Sequence, residues 1–173
     1  KDIPLNTAKN NVHNFLTNIA SLEIPTSLKC NLNCDYCYIR EKWIKNIDVD
    51  LETVKILLDN GLNKILYYNR EKKNQLNLCS WGAEPLCNLK TLELLVDTCI
   101  NNGIKFSTST NATIVNEKIK EIFTKIFKNG LTETIQVSLD GPAEIQNLHR
   151  KTLSGKDTFD SVISFIEMLN DIQ

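Results

Sequence analysis

Cys30-Asn31-Leu32-Asn33-Cys34-Asp35-Tyr36-Cys37-Tyr38 decides how the rest of this chain is read. Its three cysteines are separated by three and then two residues. The short apolar run before them, Ile24-Pro25-Thr26-Ser27-Leu28, reads as a strand, which puts the cysteines on the loop that follows it. Three thiolates on one tight loop can converge on one metal centre, and thiolate is the soft ligand that zinc and iron–sulfur clusters prefer. A tetrahedral zinc site needs a fourth ligand, and none stands near in sequence. A [4Fe–4S] cluster held by three cysteines keeps one iron open to a substrate or cosubstrate.

Outward from this loop, the chain is about one domain long at 173 residues. Hydrophobic residues make up 42% and charged residues 24%, an ordinary globular balance. The net charge of −1 gives no excess of positive charge to argue for nucleic acid or a membrane surface. No apolar run approaches the roughly 20 residues that span a bilayer, and Lys1-Asp2-Ile3-Pro4, with no apolar core after it, is not expected to open a signal peptide. Six cysteines, half of them in one cluster, do not form a secreted disulfide framework. They favour a reducing, cytoplasmic location.

Residues 5–22 carry a weak helical pattern (Val12, Phe15, Leu16, Ile19), and His13 within it reads as a solvated or partly packed side chain. After the first strand, a helix is expected from Asp50 to about Asn60, with Asp50 as N-cap and Gly61 at its end. Residues 69–75 read as a surface turn. A second strand covers Leu76–Trp81, and a helix runs from about Leu89 to Asn102, stopped by Gly103. A third strand covers Ile104–Ser109, with a helix from Asn116 to about Asn129, stopped by Gly130. A fourth strand covers Thr134–Leu139, and a last helix begins near Thr158. Strands alternating with helices in this way imply right-handed crossovers and a parallel sheet, an α/β fold. Ligands bind such sheets at the C-terminal ends of the strands.

The motifs stand at those ends. Gly82-Ala83-Glu84-Pro85 follows the second strand, Ser107-Thr108-Ser109-Thr110-Asn111 ends the third, and Val137-Ser138-Leu139-Asp140-Gly141-Pro142 ends the fourth. Small residues let a backbone approach a ligand closely. Together with Cys-x3-Cys-x2-Cys and its aromatic residue before the last cysteine, these stretches resemble the radical S-adenosylmethionine (radical SAM) superfamily. The second resembles that family's Gly-Gly-Glu-Pro, and the third its Thr-Asn-Gly, with Ala112 in place of glycine. The fourth resembles the Ser-Leu-Asp-Gly-Pro of peptide- and protein-modifying members, which include the anaerobic sulfatase-maturating enzymes and their SPASM-type relatives. That subgroup continues with His-Asp-x-x-Arg. Here Gln146-Asn147 replace the His-Asp pair, and Arg150 keeps the arginine place. Gly155-Lys156-Asp157-Thr158-Phe159-Asp160 is similar to a further stretch of the subgroup.

The resemblance implies a partial (β/α) barrel with parallel strands, of which four strand–helix units are visible out of an expected six. Residues 1–22 would form an N-terminal segment and 23–173 the barrel domain, cut short at its C-terminal side. It implies that Cys30, Cys34 and Cys37 hold a [4Fe–4S] cluster whose open iron chelates SAM. Reduction of the cluster would then cleave SAM to methionine and a 5′-deoxyadenosyl radical that abstracts hydrogen. Tyr36, Gly82, Ala83, Glu84, Ser109, Asn111, Ser138 and Arg150 are the implied SAM contacts. Glu84 would orient its loop or meet the SAM ammonium. Arg150 would fork onto the SAM carboxylate, separate from the distant cysteine loop. The expected substrate is a peptide or protein side chain, and the expected electron donor a flavodoxin or ferredoxin. No residue is assigned as catalytic acid or base. Cys79 and Cys99 read as core, Cys87 as a minor candidate for contact with substrate or a second cluster, and His149 as a surface or packing residue. The alternatives are a radical SAM enzyme acting on a small molecule and a non-catalytic zinc or iron–sulfur module.

Overall fold

Four parallel strands, in the order β1-β2-β3-β4, form one sheet. The computed structural model describes Thr7, Lys9, Asn10, 21–39 and 47–173, with 72–74 described by backbone only. The strands are β1 (Ser21–Ser27), β2 (Asn77–Gly82), β3 (Lys105–Thr110) and β4 (Thr132–Val137). The helices are α1 (Leu51–Leu57), α2 (Asn63–Tyr68), α3 (Leu89–Asn102), α4 (Glu117–Lys128), α5 (Ala143–His149) and α6 (Phe159–Ile172). This is the partial (β/α) barrel arrangement, with each strand followed by helix.

Alternation along the strands separates the two faces of the sheet. Ile24, Leu78 and Phe106 are buried on the helix-covered side. They meet the apolar stripes of α3 (Leu92, Leu95, Val96, Cys99) and α4 (Ile119, Ile122, Phe123, Ile126) in one cluster. Phe165 of α6 closes this core edge-on against Phe123, with ring centroids 5.7 Å apart. Helix starts are set locally. Asp50 accepts from Thr53 N at 2.9 Å, Asn88 from Thr91 N at 3.3 Å and Asn116 from Ile119 N at 3.0 Å. Gly103 ends α3 with φ +62°, a left-handed cap that glycine adopts without Cβ strain.

Three expectations change. Of residues 5–22, only Thr7, Lys9 and Asn10 lie among the described residues before the strand, and all three are helical; His13 lies outside them. The stretch cannot be helical throughout, because Ser21 and Leu22 already belong to β1. Gly61 does not end the helix that follows. A π turn at Leu58–Leu62 carries the chain from α1 into α2, so that Val54, Leu58, Leu62 and Ile65 keep one buried face. A helical glycine costs about 1 kcal/mol, whereas burying one leucine or isoleucine returns about 1.5–3 kcal/mol. The apolar face therefore wins. Between β4 and α6 the structure also has α5, which was not expected.

The sheet delivers four chain segments to one end. The cysteine loop leaves β1, Ala83–Glu84 leaves β2, Asn111 leaves β3 and Ser138–Asp140 leaves β4.

Candidate functional site

The loop after β1 is fastened at both ends. At its far end, Ser27 bridges Asp48, Leu28 N donates to Ile47 O at 3.3 Å, and Lys29 pairs with Asp48 at 2.8 Å. Its cysteine portion is clasped by the chain just past α5. Asn33 N donates to Lys151 O at 2.7 Å, Asp35 N to His149 O at 3.3 Å and Leu153 N to Asn31 O at 3.1 Å. Leu32 and Thr152 form an antiparallel bridge. His149 adds a 2.8 Å contact to Asp35, so it serves the cysteine loop and is more than a packing residue.

Gly82 ends β2 where backbones nearly touch. Its φ is +133°, and a Cβ there would stand 2.2 Å from Ser27 O. Ala83 N donates to the same oxygen at 2.8 Å. Ala83 is not among the residues with positive φ, so its methyl group is tolerated where the family motif has a second glycine. Glu84 is fully buried. Its Oε1 accepts from Leu86 N (3.0 Å) and Thr110 Oγ1 (2.7 Å), and its Oε2 from Asn111 N (2.7 Å). Burial pushes its pKa up, against the opposing pull of these three donors. Glu84 thus fixes the end of β3 to the end of β2, which is the loop-orienting role of the two expected for it.

Arg150 leaves α5 and turns back over the cleft. Its Nε donates to Asp140 Oδ1 at 2.9 Å, and its guanidinium carbon lies 5.4 Å from the centre of the Tyr36 ring. The Tyr36 hydroxyl donates to Asp140 Oδ2. Burial is the largest single influence on Arg150 and opposes its charge, but the hydrogen bond to Asp140 together with the nearby Tyr36, Asp140 and Cys34 holds the pKa above the usual arginine value. Arg150 therefore lies beside the cysteine loop and is not separate from it, which corrects an expectation drawn from sequence distance.

Cys30, Cys34, Cys37, Tyr36, Gly82, Ala83, Glu84, Ser109, Asn111, Ser138 and Arg150 all line one cleft of about 210 Å³. The cleft also takes in Leu32, Tyr38, Ile39, Trp81 and Thr110, which the sequence reading did not single out. Trp81 sits one residue before Gly82 and is partly exposed, a position that strand alternation could have flagged. Gln146 and Asn147, which replace the subgroup's His-Asp pair, hold the scaffold. Gln146 is fully buried and accepts from Asp140 N at 3.0 Å. Asn147 Oδ1 accepts from Thr158 N and Phe159 N, each at 2.9 Å, at the start of α6. Cys99 is buried in the core, and Cys79 is half-buried in β2. Cys87 lies on a short 3-10 turn outside the lining of the cleft, its thiol pushed up to about 12 by burial.

The donor set of the cleft suits a cluster. Three cysteines line it, and burial pushes Cys30 up to about 11 and raises Cys34 as well. A free thiolate is disfavoured there, whereas a bound metal deprotonates a thiol outright. Thiolates on a single zinc would have to approach to about 2.3 Å from one point. Among the described residues, no three His, Cys, Asp or Glu side chains are gathered into a group that could hold a metal ion, whether zinc or another.

Comparison with known proteins agrees in sequence and in shape. The chain is 38% identical over 132 residues to an uncharacterised protein of Methanocaldococcus jannaschii, covering 74% of this chain and 41% of that one. It is 30% identical over 153 residues to a serine-type anaerobic sulfatase-maturating enzyme of Bacteroides thetaiotaomicron, covering 84% and 35% respectively. The solved structure of native anSMEcpe with bound AdoMet and Cp18Cys peptide superposes with a TM-score of 0.68 at 26% identity, covering 89% of this chain and 40% of that one. The chain thus spans about two fifths or less of the length of these relatives. Residues 24–173 match the family described as the Radical SAM superfamily, and the chain belongs to that superfamily of enzymes, which use a [4Fe–4S] cluster and S-adenosylmethionine.

Proposed function

We propose that this chain is the cofactor-binding part of a radical SAM enzyme that modifies a peptide or protein side chain. One observation carries the reading: residues from the ends of all four strands, including the three cysteines, share a single cleft. Cys30, Cys34 and Cys37 would hold the cluster. When bound, the cluster supplies the electron that splits SAM and so yields the radical that takes hydrogen from the substrate. The protein's own share is binding, orientation and exclusion of water. Ala83 and its neighbour Gly82 bring the backbone close to the ligand. Ser109 and Ser138 offer hydroxyls, Tyr36 forms one wall, and Arg150 offers a positive charge held in place by Asp140. The domain expected over 23–173 starts with β1 at Ser21, and the segment expected over 1–22 runs into that strand.

A peptide or protein substrate is supported by the relatives, a sulfatase-maturating enzyme among them and a solved structure with a bound peptide. A flavodoxin- or ferredoxin-type protein would deliver the electron. Six free cysteines fit the reducing cytoplasm. Among the described residues, no helix is long and apolar enough to cross a membrane.

Anaerobic reconstitution with iron and sulfide, followed by reduction in the presence of SAM, tests the reading. Release of 5′-deoxyadenosine is the expected result. A colourless protein carrying stoichiometric zinc would overturn it in favour of a non-catalytic module.

A further inference from the structure

The three cysteines are not equivalent. Cys30 Sγ accepts two N–H donors, from Leu32 N at 3.4 Å and from Asn111 Nδ2 at 3.7 Å. Among the described residues, no side chain donates to the sulfur of Cys34 or Cys37, and Cys34 has its own backbone N–H beside its sulfur.

The orientation of the Asn111 amide is fixed by its surroundings. Its Oδ1 accepts from Thr113 N at 3.0 Å and from Thr113 Oγ1 at 2.8 Å. A backbone N–H can only donate, so the oxygen of the amide must face Thr113 and the NH2 must face the cysteine loop. There Nδ2 meets both Cys30 Sγ and, at 2.9 Å, Asn31 Oδ1. Asn31 returns its own Nδ2 to Thr113 Oγ1 at 2.8 Å, closing a ring of three side chains. The backbone of Asn111 is held in turn by the buried Glu84. This amide has been turned toward a sulfur and locked by four separate bonds.

We propose that Asn111 is a positioning residue that acts through Cys30 and raises the reduction potential of the bound cluster. This rests on the cluster-binding reading above. Hydrogen bonds to cluster sulfurs stabilise the more negative, reduced state, and partners of a ligand tune the metal as well as orient the ligand. The step concerned is a one-electron reduction by an external donor, which in the test is dithionite.

The test is a redox titration of the reconstituted chain, followed by the spectrum of the cluster. Asn111→Ala should lower the equilibrium constant for reduction about tenfold, a shift of about 59 mV to more negative potential. Asn111→Asp keeps the shape, removes the donor and adds charge, so it should shift at least as far in the same direction. Thr113→Val loosens the ring but leaves Thr113 N to orient the amide, so it should stay within twofold of the parent. An unshifted potential in both Asn111 variants overturns the proposal. So does a Thr113→Val shift as large as that of Asn111→Ala, which would point to general loosening of the loop. Failure of both Asn111 variants to take up a cluster overturns it too, because Asn111 would then hold the cluster and not tune it. A parent that takes up no cluster overturns the cluster-binding reading itself, and this proposal with it.

Discussion

Arg150 Nε donates to Asp140 Oδ1 at 2.9 Å, and this bond sets which donors of the guanidinium remain for a ligand. Nε is used, and Arg150 also lines the cleft. Lysine keeps the charge and three N–H donors, but on one compact nitrogen, so it cannot reproduce the planar fork that holds Asp140 and a carboxylate ligand from separate nitrogens. Arg150→Lys should therefore weaken SAM binding. The loss of one charge-assisted hydrogen bond, about 1.5–3 kcal/mol, corresponds to a roughly ten- to hundredfold rise in Kd. Iron content should stay near that of the parent, because the clasp on the cysteine loop is made by backbone groups of 149–153. Titration of both reconstituted proteins with SAM measures this, and equal dissociation constants would remove Arg150 from the site.

Single substitutions Cys30→Ala, Cys34→Ala and Cys37→Ala should each abolish release of 5′-deoxyadenosine without unfolding the sheet. The core consists of strand and helix side chains, and none of the three cysteines belongs to it. Circular dichroism, iron content and product release, taken together, separate loss of the site from loss of the fold. Product formation by any one of the three variants would contradict the assignment.

Two small-residue substitutions at the site should behave in opposite ways. Gly82→Ala places a Cβ against the Ser27 carbonyl at a φ that side chains avoid, so strain and overpacking add to at least about 2 kcal/mol of destabilisation. Ala112 already has φ +57° and is buried. Ala112→Gly relieves about 1–2 kcal/mol of left-handed strain. It loses about 0.8 kcal/mol of buried methyl and about 0.4–1 kcal/mol to the freer unfolded chain. The net change should stay within about 1 kcal/mol of zero. Denaturant unfolding of the two variants would show whether the cost at position 82 exceeds that at 112.

Glu93 on α3 accepts from Lys118 at 2.8 Å and Lys125 at 2.7 Å on α4. These hydrogen bonds hold the Glu93 pKa below its usual value of 4.5. A depressed carboxyl pKa contributes stability above the unfolded value that is lost as pH falls through the folded one. The tie between α3 and α4 should therefore weaken as pH drops below about 4.5. Glu93→Gln should flatten that part of the acid limb and leave the slope above pH 6 unchanged. Thermal unfolding from pH 3 to pH 7 would reveal it, and identical acid limbs would refute it.

The strands, the long helices and most of the residues that line the cleft were legible because their signals are local. Asp50, Asn116 and Gly103 mark helix ends within a few residues, and apolar spacing marks the faces that pack. What stayed hidden depends on pairs far apart in the chain. The short helix α5 shows no apolar stripe, since its buried residue is Gln146. The pairing of Asp35 with His149 joins positions 114 apart and leaves no mark on either neighbourhood. Continuation of the helix past Gly61 was missed for a related reason: a glycine signal is local, while burial of Leu62 and Ile65 is tertiary.

The clasp between residues 31–35 and 149–153 also orders events in time. The backbone groups that pair with the cysteine loop are translated more than a hundred residues after the cysteines themselves. At about 5–20 residues per second, the ribosome needs roughly 6–24 s to supply them. Closing so long a loop must also wait for the sheet to bring its ends together. The cysteine segment is thus translated well before the groups that complete it, so ordered metal loading waits until 149–153 have been made and docked. Pulsed alkylation during refolding should find Cys99, in the core, shielded well before Cys30, and simultaneous shielding of the two thiols would contradict this order.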